Sequence, residues 1–426
     1  MNSIRSGTMA LFGFVLMVFS AASFAQPTGS IKQINPKYYP AGGLIWKGES
    51  TQDTNWNKIC EDQEGRIWFS GGDHWGTDRR GGIFDDRYER PWGYGNTTIC
   101  YYDPKKDRAF VAFELDRASS LYSNTETPGH GKIHSNIQCD SKGGIWCAGY
   151  LGSSYDHEFA NAYFPKSYEG GALIRYDPRI DNVDYYGIPT PYGGQSALYL
   201  DERRSSIYGF AVDRARFWSV NYETMELKQY ETNGRFGLRE MIVDRNGMCY
   251  FANEYQGLTM FNPDTETFAD LKIKIPGLRA SCVSSDNIIY GICSLGFVWS
   301  YDPKTGKVVE YGHVVQVPGE GVYTPNIALD ETWQRLYFIA GGHGVTLAGM
   351  PILTILDLRD KKFYWPGKID VDGCYGSVVG RDHAVYFSCY GYMQQNGKRL
   401  RNKEGKEYRC NYLVKYEPPS SLEGLK

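Results

Sequence analysis

The sequence has little that would hold it in a membrane or on a nucleic acid. Past its first 25 residues no apolar run approaches the roughly 18 needed to span a bilayer, and mean hydropathy is −0.46. An integral membrane protein is therefore not expected. Excess charge is missing too: 46 Lys and Arg stand against 49 Asp and Glu, a net charge of −3, so the basic field that a phosphate backbone requires is absent. No stretch sustains a 3.6-residue apolar period with proper caps, which argues against a helical fold. Histidine is scarce, with seven in 426 residues, and its placement is correspondingly informative.

What the chain does have begins with its first 25 residues. Asn2 to Arg5 are followed by an apolar run from Met9 to Phe19 and by Ser23-Phe24-Ala25 before Gln26. This is the pattern of an export signal cut after Ala25, and it predicts a secreted or periplasmic mature chain of net charge about −4. The composition is rich in Tyr (34), Gly (49) and aromatics overall (15%). Tyrosine and glycine favour short twisted strands joined by tight turns, so the fold class expected is all-β.

One phrase recurs: a short apolar strand, an Asp-containing turn, then a strand rich in Tyr, Trp or Phe. Ile59-Cys60-Glu61-Asp62 leads to Ile67-Trp68-Phe69, and Gln138-Cys139-Asp140 leads to Ile145-Trp146-Cys147. Further copies centre on Asp201, Asp244, Ser284, Asp330 and Gly380, making seven. A second phrase, such as Tyr102-Asp103-Pro104, Tyr176-Asp177-Pro178 or Tyr301-Asp302-Pro303, closes most units at the end of a third strand. The last four intervals between turns run from 40 to 50 residues and the first two are 78 and 61. Roughly 40–50 residues is the length of a four-stranded propeller blade. The expectation is a single seven-bladed β-propeller over residues 26–426, with long insertions in blades 1, 2 and 7. Residues 42–46 are expected to close the ring on the last blade, since an open ring leaves strand edges unpaired.

In such a ring the starts of the inner strands and the loops between second and third strands build one face. His134, Gln195, Arg239, Arg279 and Tyr375 fall at or beside strand starts, and His74, His157, Arg214, Arg216, Tyr255, His343 and the basic insert 394–409 fall in the loops. Five of the seven histidines, at 74, 130, 134, 157 and 343, map to this face. Aromatic rings stack on the apolar faces of sugars, and arginine pairs bidentately with carboxylate or sulfate. These residues mark a ligand groove.

The export signal, the seven blades, Lys132-Ile133-His134-Ser135 with a second histidine at His157, and the run from Gly170 to Pro178 together resemble the seven-bladed-propeller ulvan lyases and, more distantly, oligogalacturonate lyases. The resemblance implies β-elimination on a uronic-acid polysaccharide, an anionic and ulvan-like substrate. By that resemblance His134 and His157 do chemistry in the second blade, and a tyrosine and an arginine do it in the third. Tyr199 or Tyr208 matches the tyrosine, and Arg214 or Arg216 the arginine. His74, Gln195, Tyr208, Arg216, Arg239, Tyr255, Arg279 and Tyr375 are the expected substrate contacts. The chemistry needs a cation against the carboxylate, a base for the C5 proton and an acid for the leaving oxygen. It requires no metal or other cofactor. The turn strings around Asp62 and Asp140 also resemble the repeats of sensor propellers, so a non-catalytic glycan-binding or sensory propeller is the alternative.

Ten cysteines in an exported chain allow up to five disulfides. Most occupy strand positions where a small apolar residue is expected. In blade 7, Cys374, Cys389 and Cys410 lie on the ligand face one blade from His343, a donor set that suits a structural zinc; a Cys389–Cys410 disulfide accounts for the pair equally well. No nucleic-acid or membrane partner is expected, and the chain is expected to act as a monomer.

Overall fold

The computed structural model of the chain describes residues 31–40, 58–72, 97–115, 132–150, 170–211, 216–232, 236–253, 257–315, 322–341, 351–392 and most of 394–425. The repeated turn is built by its acid. Asp62 Oδ1 accepts the amides of Glu64 and Arg66 at 2.9 Å, and Oδ2 accepts the Trp68 indole at 2.8 Å. Asp140 repeats the pattern with Lys142, Gly144 and Trp146, and Asp244 with Asn246, Met248 and the Tyr250 hydroxyl. The conserved geometry explains both halves of the phrase: the carboxylate satisfies the turn amides and the buried aromatic donor together. The fourth turn residue has φ of +78° at Gly65, +84° at Gly143 and +80° at Gly247, a left-handed conformation that glycine adopts without steric cost.

These hairpins make seven four-stranded antiparallel sheets arranged as a ring, the seven-bladed β-propeller that the repeat predicts. After β1 (Lys37–Pro40), blade 1 is β2 (Cys60–Glu61), β3 (Ile67–Gly71), β4 (Thr98–Asp103) and β5 (Arg108–Glu114). Blade 2 is β6 (Gln138–Cys139), β7 (Ile145–Ala148), β8 (Leu173–Asp177) and β9 (Asn182–Tyr185). Blade 3 is β10 (Gln195–Asp201), β11 (Ser206–Ala211), β12 (Arg216–Asn221) and β13 (Leu227–Glu231). Blade 4 is β14 (Phe236–Val243), β15 (Cys249–Asn253), β16 (Gly257–Asn262) and β17 (Thr267–Lys274). Blade 5 is β18 (Ala280–Val283), β19 (Ile289–Ile292), β20 (Phe297–Asp302) and β21 (Lys307–His313). Blade 6 is β22 (Ala328–Asp330), β23 (Arg335–Ala340), β24 (Ile352–Asp357) and β25 (Lys362–Lys368). Blade 7 begins with β26 (Gly373–Val379) and β27 (Val385–Tyr392), continues through a hairpin of β28 (Gln394–Gln395) and β29 (Lys398–Arg399), and takes β30 (Arg409–Tyr416) as its third strand.

Its fourth strand comes from the other end of the chain. β1 pairs antiparallel with β30, Lys37 opposite Lys415 through Pro40 opposite Tyr412. Closure therefore uses residues 37–40, a few positions before the expected 42–46, which lie outside the described residues. The physical reason is visible in Tyr39: its ring packs 4.4 Å from Tyr102 and its hydroxyl bonds Asp107, both in blade 1. One short strand thus completes blade 7 and grips blade 1.

The core lies between blades rather than within one. Trp68, Ile99 and Ile137 meet Ile145 and Ile174 at the junction of blades 1 and 2; Phe210, Phe217, Phe251 and Phe261 fill that of blades 3 and 4. On the face that carries the Asp turns, the lower face, every neighbouring pair of blades is also joined by a polar contact. Gln63 reaches Asp140 O, Ser141 N reaches Glu202, Arg204 reaches Asp264, and Arg245 N reaches Asn287. Ser285 N then reaches Glu331, His383 reaches Asp330, and Arg381 N reaches Glu61, which returns to blade 1. The lower face is thereby stitched shut around its rim, and the long connections all leave from the opposite, upper face.

Candidate functional site

Two clusters of cations and rings occupy the upper ends of inner strands. In blade 2, Lys132 and Tyr150 exchange backbone hydrogen bonds at 3.2 and 2.9 Å. The Tyr150 ring lies 4.7 Å from His134, edge to face, and 5.4 Å from Lys132 Nζ. Gly194 lets this ring in, because a Cβ there would come within 2.5 Å of it. Ser135 fixes the strand start by exchanging hydrogen bonds with Ala148 at 3.0 Å.

The second cluster spans blades 5 to 7. Arg279, immediately before β18, donates from Nε to Tyr323 OH at 2.7 Å. Its guanidinium carbon lies 5.5 Å from the Tyr323 ring and 5.6 Å from that of Tyr375. Tyr375 in turn stacks on Tyr390 at 6.3 Å. Tyr375 itself is 3% exposed and burial pushes its phenol well up, so it supports Arg279 from behind as a cation–π partner. Only part of the fork of Arg279 is committed.

Below these clusters the channel holds a third constellation. Its lower half is a cavity of about 710 Å³ walled by all seven inner strands. Lys58 of blade 1 forms a salt bridge with Glu240 of blade 4 and donates to Tyr199 OH at 3.0 Å and Ser281 O at 3.1 Å. Ser281 Oγ completes the network with a 2.5 Å bond to Glu240. Burial pulls the Lys58 ammonium down, but Glu240 and Tyr199 outweigh it and hold the charged form. Burial and Glu240 raise Tyr199 against the opposing pull of Lys58, so its phenol is protonated at neutral pH.

The other expected site residues divide plainly. His74, His157, Arg214, Tyr255 and His343 lie outside the described residues, and of Arg239 the backbone alone is described, inside β14. Gln195 and Tyr208 correct the expectation of ligand contact, since both are in the core. Gln195 is fully buried, donating to Gly193 O and accepting the Trp218 indole at 2.7 Å. Tyr208 packs with Phe217 and Phe261 between blades 3 and 4, where burial pushes its phenol up. Arg216, at the head of β12, is paired with Glu231 at 3.1 Å. Cys374 stands opposite Cys389 in the ladder while Cys410 stands opposite Gly391, and all three are buried free thiols, so Cys389 and Cys410 form no disulfide. Among the described residues no group of three His, Cys, Asp or Glu could hold a metal ion.

Lys58, Glu240, Tyr323, Tyr390 and Tyr150 escaped the sequence reading. A signal was present for two of them: Lys58 and Glu240 each stand four residues before the turn acid, at Asp62 and Asp244. Charged residues of opposite sign at one repeat position mark a shared interior.

No protein-family model matches the chain, and no curated protein matches it. In three dimensions it is similar to a streptogramin B lyase, with a TM-score of 0.56 at 12% identity, covering 90% of this chain and 98% of that one. It is also similar to virginiamycin B lyase from Staphylococcus aureus, with a TM-score of 0.56 at 11% identity, covering 89% and 99%. A third likeness is to the extracellular domain of a hybrid two-component system from B. thetaiotaomicron, with a TM-score of 0.55 at 11% identity, covering 92% of this chain and 44% of that one. At such identities the likeness is one of fold. Among the described residues no helix is long and apolar enough to cross a membrane.

Proposed function

We propose that the chain is an exported polysaccharide lyase that cleaves an anionic, uronic-acid-containing polysaccharide of the ulvan kind by β-elimination. The observation that carries this reading is Arg279, oriented by Tyr323 OH and backed by the rings of Tyr323 and Tyr375 at the channel mouth that also bears His134. A guanidinium held in place with donors to spare matches a sugar carboxylate, and neutralising that carboxylate is what makes the C5 proton acidic enough to remove. In this scheme neutral His134 or His157 takes the C5 proton. An acid must return a proton to the leaving oxygen, and Tyr199, protonated but bonded to Lys58 in the lower half of the channel, stands below these residues. Arg214 or Arg216, Arg239 and His74 assist in holding the anion. No metal or cofactor enters the scheme.

A non-catalytic reading, a glycan-binding or sensory propeller acting outside the cell, draws on the Asp–Trp turn that resembles the repeats of sensor propellers. One assay separates the two: incubation with a panel of uronic polysaccharides, followed by the ultraviolet absorbance of unsaturated uronate. Product from one member of the panel supports the lyase. Binding without product supports the sensor.

A further inference from the structure

We infer that Cys60 and Cys139 are a disulfide-forming pair that staples blade 1 to blade 2 when the protein meets an oxidising environment. The inference is independent of the catalytic reading. The inner strands of these blades are joined directly by a hydrogen bond from Ile137 N to Lys58 O at 3.0 Å. Each strand places a cysteine two residues further on. In the repeat the two are not equivalent: Cys60 lies two residues before its turn acid and Cys139 one before, so they leave their sheets on opposite faces. Blades 1 and 2 are neighbours, and opposite faces therefore look at each other across the junction. Both cysteines pack against the same apolar cluster, and each thiol is within the other's hydrogen-bonding reach. Both also line the channel cavity.

The chemistry is exchange with a low-molecular-weight disulfide such as oxidised glutathione. One thiolate attacks the external S–S bond and releases one thiol, leaving a mixed disulfide; the second thiolate attacks that bond and releases the other. The two protein thiols lose two electrons and two protons, and both end on the released thiols. Burial pushes the Cys60 thiol up, and Cys139 beside it adds to the effect. Exchange in the folded protein is therefore slow at neutral pH and quickens with alkalinity.

The test incubates the folded, full chain in oxidised glutathione, blocks remaining thiols with a maleimide, and maps peptides without reduction. The expected result is a linked pair containing Cys60 and Cys139, lighter by two hydrogens than the separate peptides and formed faster at higher pH. Cys60→Ser and, separately, Cys139→Ala should each abolish it while leaving the other thiols unlinked. Recovery of both cysteines as maleimide adducts, or linkage of either to Cys147 instead, overturns the inference.

Discussion

Lys58 and Glu240 meet across the central channel as an ion pair between blades 1 and 4, and Tyr199 and Ser281 tie blades 3 and 5 to it. The interblade core holds neighbours together, whereas this pair holds the ring from the inside. Its Lys side chain is 20% exposed and its Glu 6%. Lys58→Met or Glu240→Leu leaves a charge in the channel without its partner and should lower stability by an amount at or somewhat under the ~3–5 kcal/mol typical of a broken buried pair. The double variant should recover most of the loss. Urea unfolding of the four proteins in a double-mutant cycle measures it, and additive losses would show that the two charges are not coupled.

The turn acids yield a prediction about folding. Asp140 accepts two turn amides, the Trp146 indole and the Arg175 guanidinium. Asp140→Ala strips acceptors from several donors at once, each costing about 1–3 kcal/mol if left unpaired, and should be among the most damaging changes in blade 2. Trp146→Phe removes one donor and should cost far less than Asp140→Ala through that bond. A thermal melt ranking the two in the reverse order would mean that indole packing, and not the carboxylate, sets the turn.

The blade count was legible because the turn recurs seven times, five times with Asp at its head, and the acid and the aromatic strand after it are chemically coupled where they meet, as Asp62 and Trp68 show. Closure was legible in kind but not in place, because Tyr39 is selected by a pocket formed by Tyr102 and Asp107 of a different blade. The site was legible where a residue's repeat position decides its face, as for Arg279. It failed where alternation decides, as for Tyr208, which points between blades, and Gln195, which is consumed by Trp218. The cross-channel pair was hidden for a related reason: its partners lie 182 residues apart, and only ring closure brings them together.

A pH prediction follows from His313, at the upper end of β21. Burial holds its imidazolium form down from the ordinary value of 6.5, while the Leu295 carbonyl, 3.2 Å from Nδ1, partly opposes this. With its folded pKa depressed, the side chain binds a proton more readily in the unfolded chain. Its contribution to stability is therefore complete above about 6.5 and is lost as pH falls through the depressed folded value. His313→Gln should flatten that part of the acid limb of a urea-midpoint profile. An unchanged profile would place the acid sensitivity elsewhere.

His134→Ala should remove lyase activity by roughly 10²–10⁴-fold while leaving the fold intact. The His134 ring stands edge-on to Tyr150, and the strand start is held by Ser135. Circular dichroism and a melting curve check the fold, and unsaturated product checks the activity. Full activity in a folded variant would remove His134 from the mechanism.

Arg279 separates a lyase from a binder of neutral sugars. Its Nε is taken by Tyr323, so the remaining guanidinium donors are the ones left for a carboxylate. Arg279→Lys keeps the charge but loses the planar fork and the bond to Tyr323, and a charge-assisted bond of about 1.5–3 kcal/mol corresponds to roughly 10–100-fold in kcat/KM. Arg279→Ala should be worse. Tyr323→Phe should give a smaller loss, because it frees the guanidinium to turn without removing it. The same arginine predicts the response to a carboxyl-reduced polymer: without the anion, Arg279 has nothing to neutralise and the C5 proton is no longer acidic, so binding should be weak and cleavage absent. Titration calorimetry with native and reduced polymer, beside the product assay, reads both effects. Equal binding of the two polymers, with no product from the native one, would reject the lyase and leave the binding propeller.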